Sequence, residues 1–561
     1  MPKIALPAAM RKAPSVRTVR RSLLAAAALG LAVTLAACSS SSGSTSASAD
    51  KTLIIASAAA PTSFFGDAGS NVYPTYEIDT QVSSTLVKNP YAKSTQDSKA
   101  LQQDYYKYSP SLATSYDISS DQKTLTFHLR KGVVSQEGNP FTADDVVWSF
   151  QQKFGNTLAL FPYISSPGIT AADQITKVDK YTVAFHLQTA GSANTVLSIL
   201  SNITGWIWDS TLLKKHATSA DPWGVAWAKA HPTVGDSYGP YKVKSYDPST
   251  ATTLVANPTY FGTKPSIKTV TYKVVADSAT RANAVASGAA DVAEALTPQQ
   301  QADAKKAGKV QVFTLDTNTY SFAIPNATKA PFTSEAARQA FAYAIPYDQI
   351  LKSVYQGRAT KPTGYLDKSA AGYDGDGLPQ FSYDPAKSKE LLAQAGYPDG
   401  VDITLTVNAD VPDLVAAAIQ MQAAAKGTGF TIKIDQQPSA AFAAGQSSGG
   451  FQIFLLRDYA ITLSPPYELG LYTGKGSPIN YSKWEDPTFY SLLKTATDLG
   501  DPLTPEAGKA YNAAEKYMLE NAATMINYAN VQPSFLVGSN VKGWAQRSDN
   551  WLDVSQLSFS S

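Results

Sequence analysis

The amino-acid sequence predicts an α/β protein of two or three domains, and two observations carry that prediction. Of the 561 residues, about 510 follow the first 50, and this exceeds one compact core at roughly 150 residues per domain. Strand-like alternation over 404–407 and over 430–434 flanks an alanine-rich helical stretch at 414–425. A strand, a helix and a second strand in this order are typical of an α/β lobe.

The first 37 residues have the order of a bacterial secretion signal. Six basic residues precede an apolar run of small residues at 23–37, and no acidic residue lies before Cys38. The run ends in Leu35-Ala36-Ala37-Cys38, and Cys38 is the only cysteine of the chain. This site resembles the lipobox of bacterial lipoproteins, which implies that Cys38 becomes the lipidated first residue of the mature chain. A plain signal peptide is one alternative, and a retained membrane helix, which needs ~20 apolar residues, is the other.

The basic residues at 20 and 21 also resemble a twin-arginine export motif, so both that route and the general secretion route stay open. Residues 38–50 are rich in serine and have nothing to bury, which predicts a flexible tether that holds the folded body off the membrane. The expected location is therefore the outer face of the cell membrane, with a lipid anchor.

The charge of the expected mature chain argues against nucleic acid as a partner. The whole chain has 47 basic and 45 acidic residues, and without the six basic residues of the signal 41 remain, a formal charge of −4. A mildly acidic body without a basic stripe does not attract a phosphate backbone. Because no cysteine follows Cys38, disulfides cannot stabilise this body, and packed cores must do so.

Several elements of the first half can be placed from sequence patterns. Residues 52–56 form a short apolar run suited to a buried strand, which Pro61 ends. Phe64 follows that strand and is a candidate ligand contact, because residues that touch ligands often follow strand ends. Residues 124–130 alternate in the period of a half-buried strand, and Thr142 is a suitable N-cap for the helix that follows.

Ten short motifs then follow one another along the chain. They include Pro110–Ser115, Leu125–Arg130, Phe141–Val146, Ser237–Tyr241, Asn257–Gly262, Arg338–Phe341, Tyr383–Lys387 and Leu391–Gly400. In this order they resemble the signature of the family 5 extracellular solute-binding proteins, the dipeptide- and oligopeptide-binding components of ABC importers. One departure is Val134–Gly138, which has an extra residue and no histidine at a surface turn.

The resemblance implies a two-lobed fold of the periplasmic-binding-protein type, with hinge strands and a ligand cleft between the lobes. Lobe I is expected at 51–315, lobe II at 316–530, and residues 531–561 are expected to return to lobe I. Such clefts bury most of a ligand while the hinge lets the lobes close. The implied partners are a peptide or small-molecule ligand and the permease subunits of an ABC transporter. We expect a monomer without a cofactor and without catalytic activity.

Arg457, Asp458 and Tyr459 are the strongest candidates for ligand contacts. They end a strand-like run and are similar to the family segment in which a tryptophan precedes an aspartate by three positions. The resemblance implies that Asp458 pairs with the α-ammonium of a peptide, although Leu455 stands at the tryptophan position. The alternative is that Asp458 pairs with Arg457 or caps the following loop. Relatives with the same scaffold bind sugars or metal chelates, so these ligands stay open.

Trp208 is a further candidate, because the pair Trp206 and Trp208 looks exposed and could stack on peptide side chains or sugar rings. The alternative is that both rings belong to a core. An enzyme is the remaining class, since Gly445–Gly449 matches the pattern Gly-x-Ser-x-Gly of a surface-anchored hydrolase. That serine needs a strand before it and a helix after it, whereas the sequence predicts the reverse order. The four histidines do not cluster, so no metal site is expected from them.

Overall fold

The computed structural model describes most of the chain after residue 50. The described residues are 51–65, 73–95, 97–155, 164, 168–308, 310–314, 319–477, 479–521, 524–532 and 534–560. Residues Asp50–Ser561 form one compact unit. The predicted signal, Cys38 and the predicted tether lie outside the described residues. In the described part of the chain, no helix combines the length and the apolar character that crossing a bilayer requires.

A seven-stranded sheet organises the first half of this unit. In sheet order, its strands are Tyr241–Asp247, Ala251–Ala256, Thr269–Val274, Leu53–Ser57, Val292–Ala293, Ser534–Gly538 and Val310–Thr314. The strand that the sequence predicted at 52–56 is central and parallel to both of its neighbours. Leu53 and Ile55 enter one hydrophobic core and Ala56 another, so both faces of the sheet are covered. This explains why the run is apolar throughout rather than alternating.

A six-stranded sheet organises the second half. Its strands, in sheet order, are Ala359–Thr360, Ile526–Val531, Thr319–Pro325, Ile453–Tyr459, Val401–Asn408 and Phe430–Gln437. The last two are parallel and are joined by helix Pro412–Ala424, which confirms the predicted strand, helix and strand. Apolar side chains of the strand Val401–Asn408 pack against Leu414 and Met421 of that helix in one core.

The chain passes from one sheet to the other twice. It leaves the seven-stranded sheet at Thr314 and enters the six-stranded sheet at Thr319, then returns between Val531 and Ser534. The strands on either side of these crossings are antiparallel neighbours in both sheets, and these two strand pairs are together called the two-stranded ribbon. Below, the first half means the described residues of 51–314 and 534–560, and the second half means those of 319–531. The predicted lobe boundary at 315 lies outside the described residues and stays a prediction.

The remaining elements complete a two-lobed α/β fold, as the sequence predicted. A four-stranded sheet in the first half contains, in sheet order, Ala113–Ile118, Thr124–Leu129, Thr182–His186 and Ile175–Asp179. The helices of the first half are Tyr73–Val82, Ala143–Gly155, Ala193–Leu200, Ser210–His216, Val225–Ala230, Ser278–Ser287 and Pro298–Lys306. Those of the second half, besides Pro412–Ala424, are Glu335–Ala344, Tyr347–Ile350, Pro385–Gln394, Ser439–Ser448, Pro465–Thr473, Pro487–Thr497 and Pro505–Asn521.

Short strands and one predicted cap complete the description. The short strands are Val87–Lys88, Tyr91–Lys93, Leu101–Gln103, Ser109–Pro110, Val541–Lys542, Ala545–Gln546 and Ser558–Phe559. At the start of helix Ala143–Gly155, the hydroxyl of Thr142 accepts from the backbone N–H of Asp144 at 3.2 Å. The backbone N–H of Thr142 donates in return to the carboxylate oxygen Oδ2 of Asp145 at 2.8 Å, so the predicted cap is confirmed.

Candidate ligand-binding site

The strand Ile453–Tyr459 positions three of the predicted site residues at its C-terminal end. It pairs antiparallel with Thr319–Pro325, so that Tyr320 lies opposite Asp458 and Ser321 lies opposite Arg457. Because side chains alternate along a strand, Arg457 and Asp458 point to opposite faces of the six-stranded sheet.

Arg457 binds a carboxylate on the helix face of that sheet. Its Nη1 donates to both carboxylate oxygens of Asp413, at 2.8 and 2.9 Å. Asp413 lies in the first turn of helix Pro412–Ala424 and is also reached by the hydroxyl of Tyr355 at 3.3 Å. No local pattern indicates Asp413 as the partner, because it lies 44 positions before Arg457 in the chain.

Asp458 lies on the opposite face and is half-buried. Its Oδ2 accepts a short hydrogen bond from the hydroxyl of Tyr472, and its Oδ1 accepts from the backbone N–H of Tyr459 at 2.8 Å. Burial raises the pKa of Asp458 to about 6, and the two hydrogen bonds offset only part of that effect. A cationic group brought to this carboxylate would relieve the cost of its desolvation.

Two more buried carboxyl groups lie on this side of the sheet. The hydroxyl of Tyr320 donates to Oε2 of Glu468 at 3.0 Å, and the backbone N–H of Tyr365 donates to Oε1 of Glu515 at 2.6 Å. Burial raises the pKa of Glu468 well above its usual range and that of Glu515 to about 7. The surroundings of Asp458 are therefore rich in tyrosine hydroxyls and in carboxyl groups that burial holds toward their protonated, neutral form.

A series of aromatic contacts connects Tyr459 with Trp208 across the two halves. Ring centroids are separated by 5.7 Å for Tyr459 and Trp551, 6.3 Å for Trp551 and Tyr76, 6.2 Å for Tyr76 and Trp206, 6.0 Å for Trp206 and Trp208, and 4.4 Å for Trp208 and Phe65. The series brings two of the predicted residues into one continuous aromatic layer. Trp551, near the end of the chain, was not predicted, because nothing local in its sequence indicates that it meets Tyr459.

The expected exposure of Trp206 and Trp208 is wrong. Their exposed fractions are 1% and 0%, and both rings lie in the largest hydrophobic core, which confirms the alternative that they are core residues. Phe64 is also buried, and it packs edge-on against Tyr246 at 5.0 Å in the core of the seven-stranded sheet. Its neighbour Phe65 is the residue that joins the aromatic layer. The predicted ligand contacts of Trp208 and Phe64 stay predictions.

The candidate hydrolase motif lies in the structural context that the sequence indicated. Gly445–Gly449 spans the end of helix Ser439–Ser448, and the strand Ile453–Tyr459 comes after it. A nucleophile of this pattern requires a strand-to-helix turn, so the order here is the reverse of what that chemistry needs.

The fold and this site define a two-lobed α/β binding protein. The family described as bacterial extracellular solute-binding proteins, family 5 Middle, matches residues 107–480, which is about two thirds of the chain. The chain belongs to this family, and the resemblance drawn from its sequence motifs is confirmed.

Individual relatives agree with this family. The probable D,D-dipeptide-binding periplasmic protein DdpA of Escherichia coli K12 is 27% identical over 423 residues, which cover 73% of this chain and 77% of the relative. The structure of the periplasmic binding protein DppA of Helicobacter pylori, in complex with the peptide STSA, has a TM-score of 0.77 at 23% identity and covers 91% of this chain and 98% of its own. NikA of Staphylococcus aureus in complex with Ni(L-His)2 has a TM-score of 0.74 at 18% identity and covers 91% of this chain and 100% of its own.

Proposed function

We propose that this protein captures a peptide with a free amino terminus and delivers it to the permease of an ABC importer. The observation that carries the proposal is Asp458, a half-buried carboxylate at a strand end whose pKa burial raises to about 6. An ammonium group gains a charge-assisted hydrogen bond from such a carboxylate. Tyr459, the next residue of the strand, is half-buried, so part of its ring is accessible to an adjacent side chain.

The ligands named for the relatives favour a peptide and leave one alternative open. A dipeptide in the name of the Escherichia coli relative and the peptide STSA in the Helicobacter pylori structure favour peptides. The nickel–histidine complex in the Staphylococcus aureus structure favours a metal chelate as the second candidate. An oligosaccharide has no positive charge for Asp458, and the rings of Tyr76, Trp206, Trp208 and Trp551 on which it could stack are buried.

The proposal includes a location and an assembly state. Cys38 carries the lipid that anchors the protein to the outer face of the cell membrane, and the serine-rich residues 38–50 act as its tether. The lobes are 51–315 and 316–530, with 531–561 returning to the first. The protein acts as a monomer, and it binds its solute without transforming it.

Calorimetric titration tests the role of Asp458 directly. The probes are the tetrapeptide Ser-Thr-Ser-Ala and its N-acetylated form, and the proteins are the wild type, Asp458→Asn and the control Asp413→Asn on the opposite face of the sheet. Removing one partner of a desolvated charge pair costs ~3 kcal/mol or more, so Asp458→Asn should bind the free peptide over a hundredfold more weakly. For an uncharged ligand the same variant should lose only ~1 kcal/mol.

The N-acetylated peptide distinguishes the outcomes. The wild type should bind it weakly, and Asp458→Asn should discriminate little between the two peptides. If acetylation weakens binding by the same factor in both proteins, Asp458 is not the ammonium partner and the proposed peptide mechanism is wrong.

A further inference from the structure

Four consecutive residues of the second half, Ile461–Ser464, each form a hydrogen bond with the first half. The side-chain amide of Asn202 donates to the carbonyl of Ile461 at 2.9 Å, and the hydroxyl of Tyr106 donates to the carbonyl of Leu463 at 3.2 Å. The other two contacts are hydrogen bonds between hydroxyl groups: Ser198 bonds to Thr462, and Thr195 lies 3.0 Å from Ser464. No residue of this segment is skipped, although the partners lie 259 to 357 positions away in the chain.

Three of the partner residues lie on or directly after one helix of the first half and form one polar surface. Thr195 and Ser198 are three positions apart on helix Ala193–Leu200 and therefore lie on the same side of it. Asn202 follows that helix, and its amide also donates to the carbonyl of Ser198 at 2.8 Å. This second bond orients the amide toward Ile461. The surface thus presents two hydroxyls and an oriented amide to the strand end that approaches it.

The segment is connected directly to the candidate ligand site. Only Ala460 separates it from Tyr459, and Asp458 comes one residue earlier. Over the described residues, the polypeptide crosses between the halves beside the ribbon, far along the chain from this segment, so the contacts of Ile461–Ser464 depend on how closely the halves approach. Neutral hydroxyl, amide and carbonyl groups exchange such bonds for bonds to water at little net cost, which makes the contact reversible.

We propose that Ile461–Ser464 is a latch that forms when the halves close and that sets the fraction of closed molecules. Because an apparent affinity scales with the fraction of binding-competent protein, the latch changes the affinity for every ligand by one common factor. The inference rests on the proposed function in one respect, since it takes the ligand to bind between the halves. Unlike Asp458, the latch does not discriminate between ligands by their charge or chemistry.

A disulfide across the latch tests closure without any ligand. The full chain carrying Cys38→Ser, Ser198→Cys and Thr462→Cys is compared with a matched control carrying Cys38→Ser, Thr253→Cys and Thr271→Cys. The control replaces two hydroxyls 3.3 Å apart that belong to neighbouring strands of one sheet. Oxidation should lower the radius of gyration of the latch variant in small-angle scattering, and reduction should restore it. The radius of the control should not respond.

Two results would overturn the proposal. If the control cross-links and the latch pair does not, the two segments do not meet in solution. If the latch pair cross-links without changing the radius of gyration, the contact is permanent and does not report closure.

A second variant measures the effect on affinity. Thr195→Val with Ser198→Ala removes two hydroxyls from the helix side, and Thr253→Val with Thr271→Val removes two hydroxyls from within one sheet. The latch variant should bind Ser-Thr-Ser-Ala and its N-acetylated form about tenfold more weakly, by the same factor for both. Unchanged affinity would refute the latch. If no peptide binds the wild type, the proposed function fails, while the cross-linking result still decides the latch.

Discussion

At the scale of single residues, Asp458 makes binding depend on pH. With its pKa raised to about 6, the free protein holds a proton on this carboxyl at pH 5 and loses it by pH 7. Burial raises the pKa of the neighbouring Tyr365, Tyr467 and Tyr481, so these hydroxyls keep their protons in this range, whereas Glu515, with its pKa raised to about 7, also titrates there. A ligand ammonium needs the ionised carboxylate, so the affinity for a free-amine peptide should fall about tenfold per pH unit below pH 6 and level off above it.

Titration calorimetry with Ser-Thr-Ser-Ala between pH 5 and pH 7.5 measures this profile. The N-acetylated peptide has no ammonium and should give a flat profile over the same range. Parallel profiles for the two peptides would show that the pH dependence arises elsewhere in the protein.

The same carboxyl affects stability with a definite sign. The folded pKa of about 6 exceeds 3.8, the ordinary pKa of an aspartate, so the unfolded chain ionises first as the pH rises. Between about pH 4 and pH 6 the contribution of Asp458 to stability therefore falls, by at most ~3 kcal/mol, and it stays low above pH 6. Asp458→Asn should remove this cost, and its gain in stability over the wild type should be larger at pH 7 than at pH 4.

Urea unfolding at the two pH values checks the sign. Asp413→Asn is the control, because it removes the carboxylate that Arg457 binds and should destabilise the protein at pH 7. A variant Asp458→Asn that is less stable than the wild type at pH 7 would show that the hydrogen bond from Tyr472 outweighs the desolvation of the carboxylate.

The residues of the site could be predicted only where the signal is local. Arg457, Asp458 and Tyr459 are adjacent and end a recognisable strand, so their position at the strand end follows from the sequence, although Arg457 and Asp458 point to opposite faces of the sheet. Tyr472 and Trp551 could not be predicted as their neighbours, because those contacts depend on how distant segments pack. The error over Trp208 has the same origin, since an aromatic pair looks alike in sequence whether a core or solvent surrounds it.

At the scale of elements, the cap of helix Ala143–Gly155 gives a test of local stability. Removing the hydroxyl of Thr142 leaves a helical N–H without its acceptor, so Thr142→Ala should lower the free energy of unfolding by ~1 kcal/mol. Thr142→Ser keeps the hydroxyl and should retain most of the stability. Urea denaturation measures both, and equal losses in the two variants would assign the effect to the methyl group of Thr142.

Strands whose apolar and polar residues alternate clearly in the sequence were predicted well, whereas the pairing of strands within the sheets was not predicted. The strand Thr124–Leu129 alternates between buried and half-buried residues, which is the period that the sequence shows. By contrast, the place of Ser534–Gly538 between two strands of the first half has no local signal. That pairing spans more than 200 residues and follows from the return of the chain through the ribbon.

At the scale of the whole molecule, the proposed anchor predicts how the protein fractionates. Cys38→Ser removes the sulfur to which the lipid would attach, so the variant should leave the membrane fraction or remain unprocessed. Its affinity for Ser-Thr-Ser-Ala should not change, because the candidate site lies at residues 457–459 and draws on no part of the signal. Fractionation with detection of the protein decides this, and a Cys38→Ser protein that is processed and still membrane-bound would contradict the anchor.

The two-stranded ribbon also limits how the halves can move. In each sheet the two crossing strands are antiparallel neighbours, and shear between them would break their hydrogen bonds, whereas rotation of the halves about the crossings leaves both sets of bonds intact. We therefore expect one dominant motion, a rotation of one half against the other about these crossings. Any pair of fluorescent labels that spans the halves should report the same equilibrium constant, so one distance describes the state of the entire receptor.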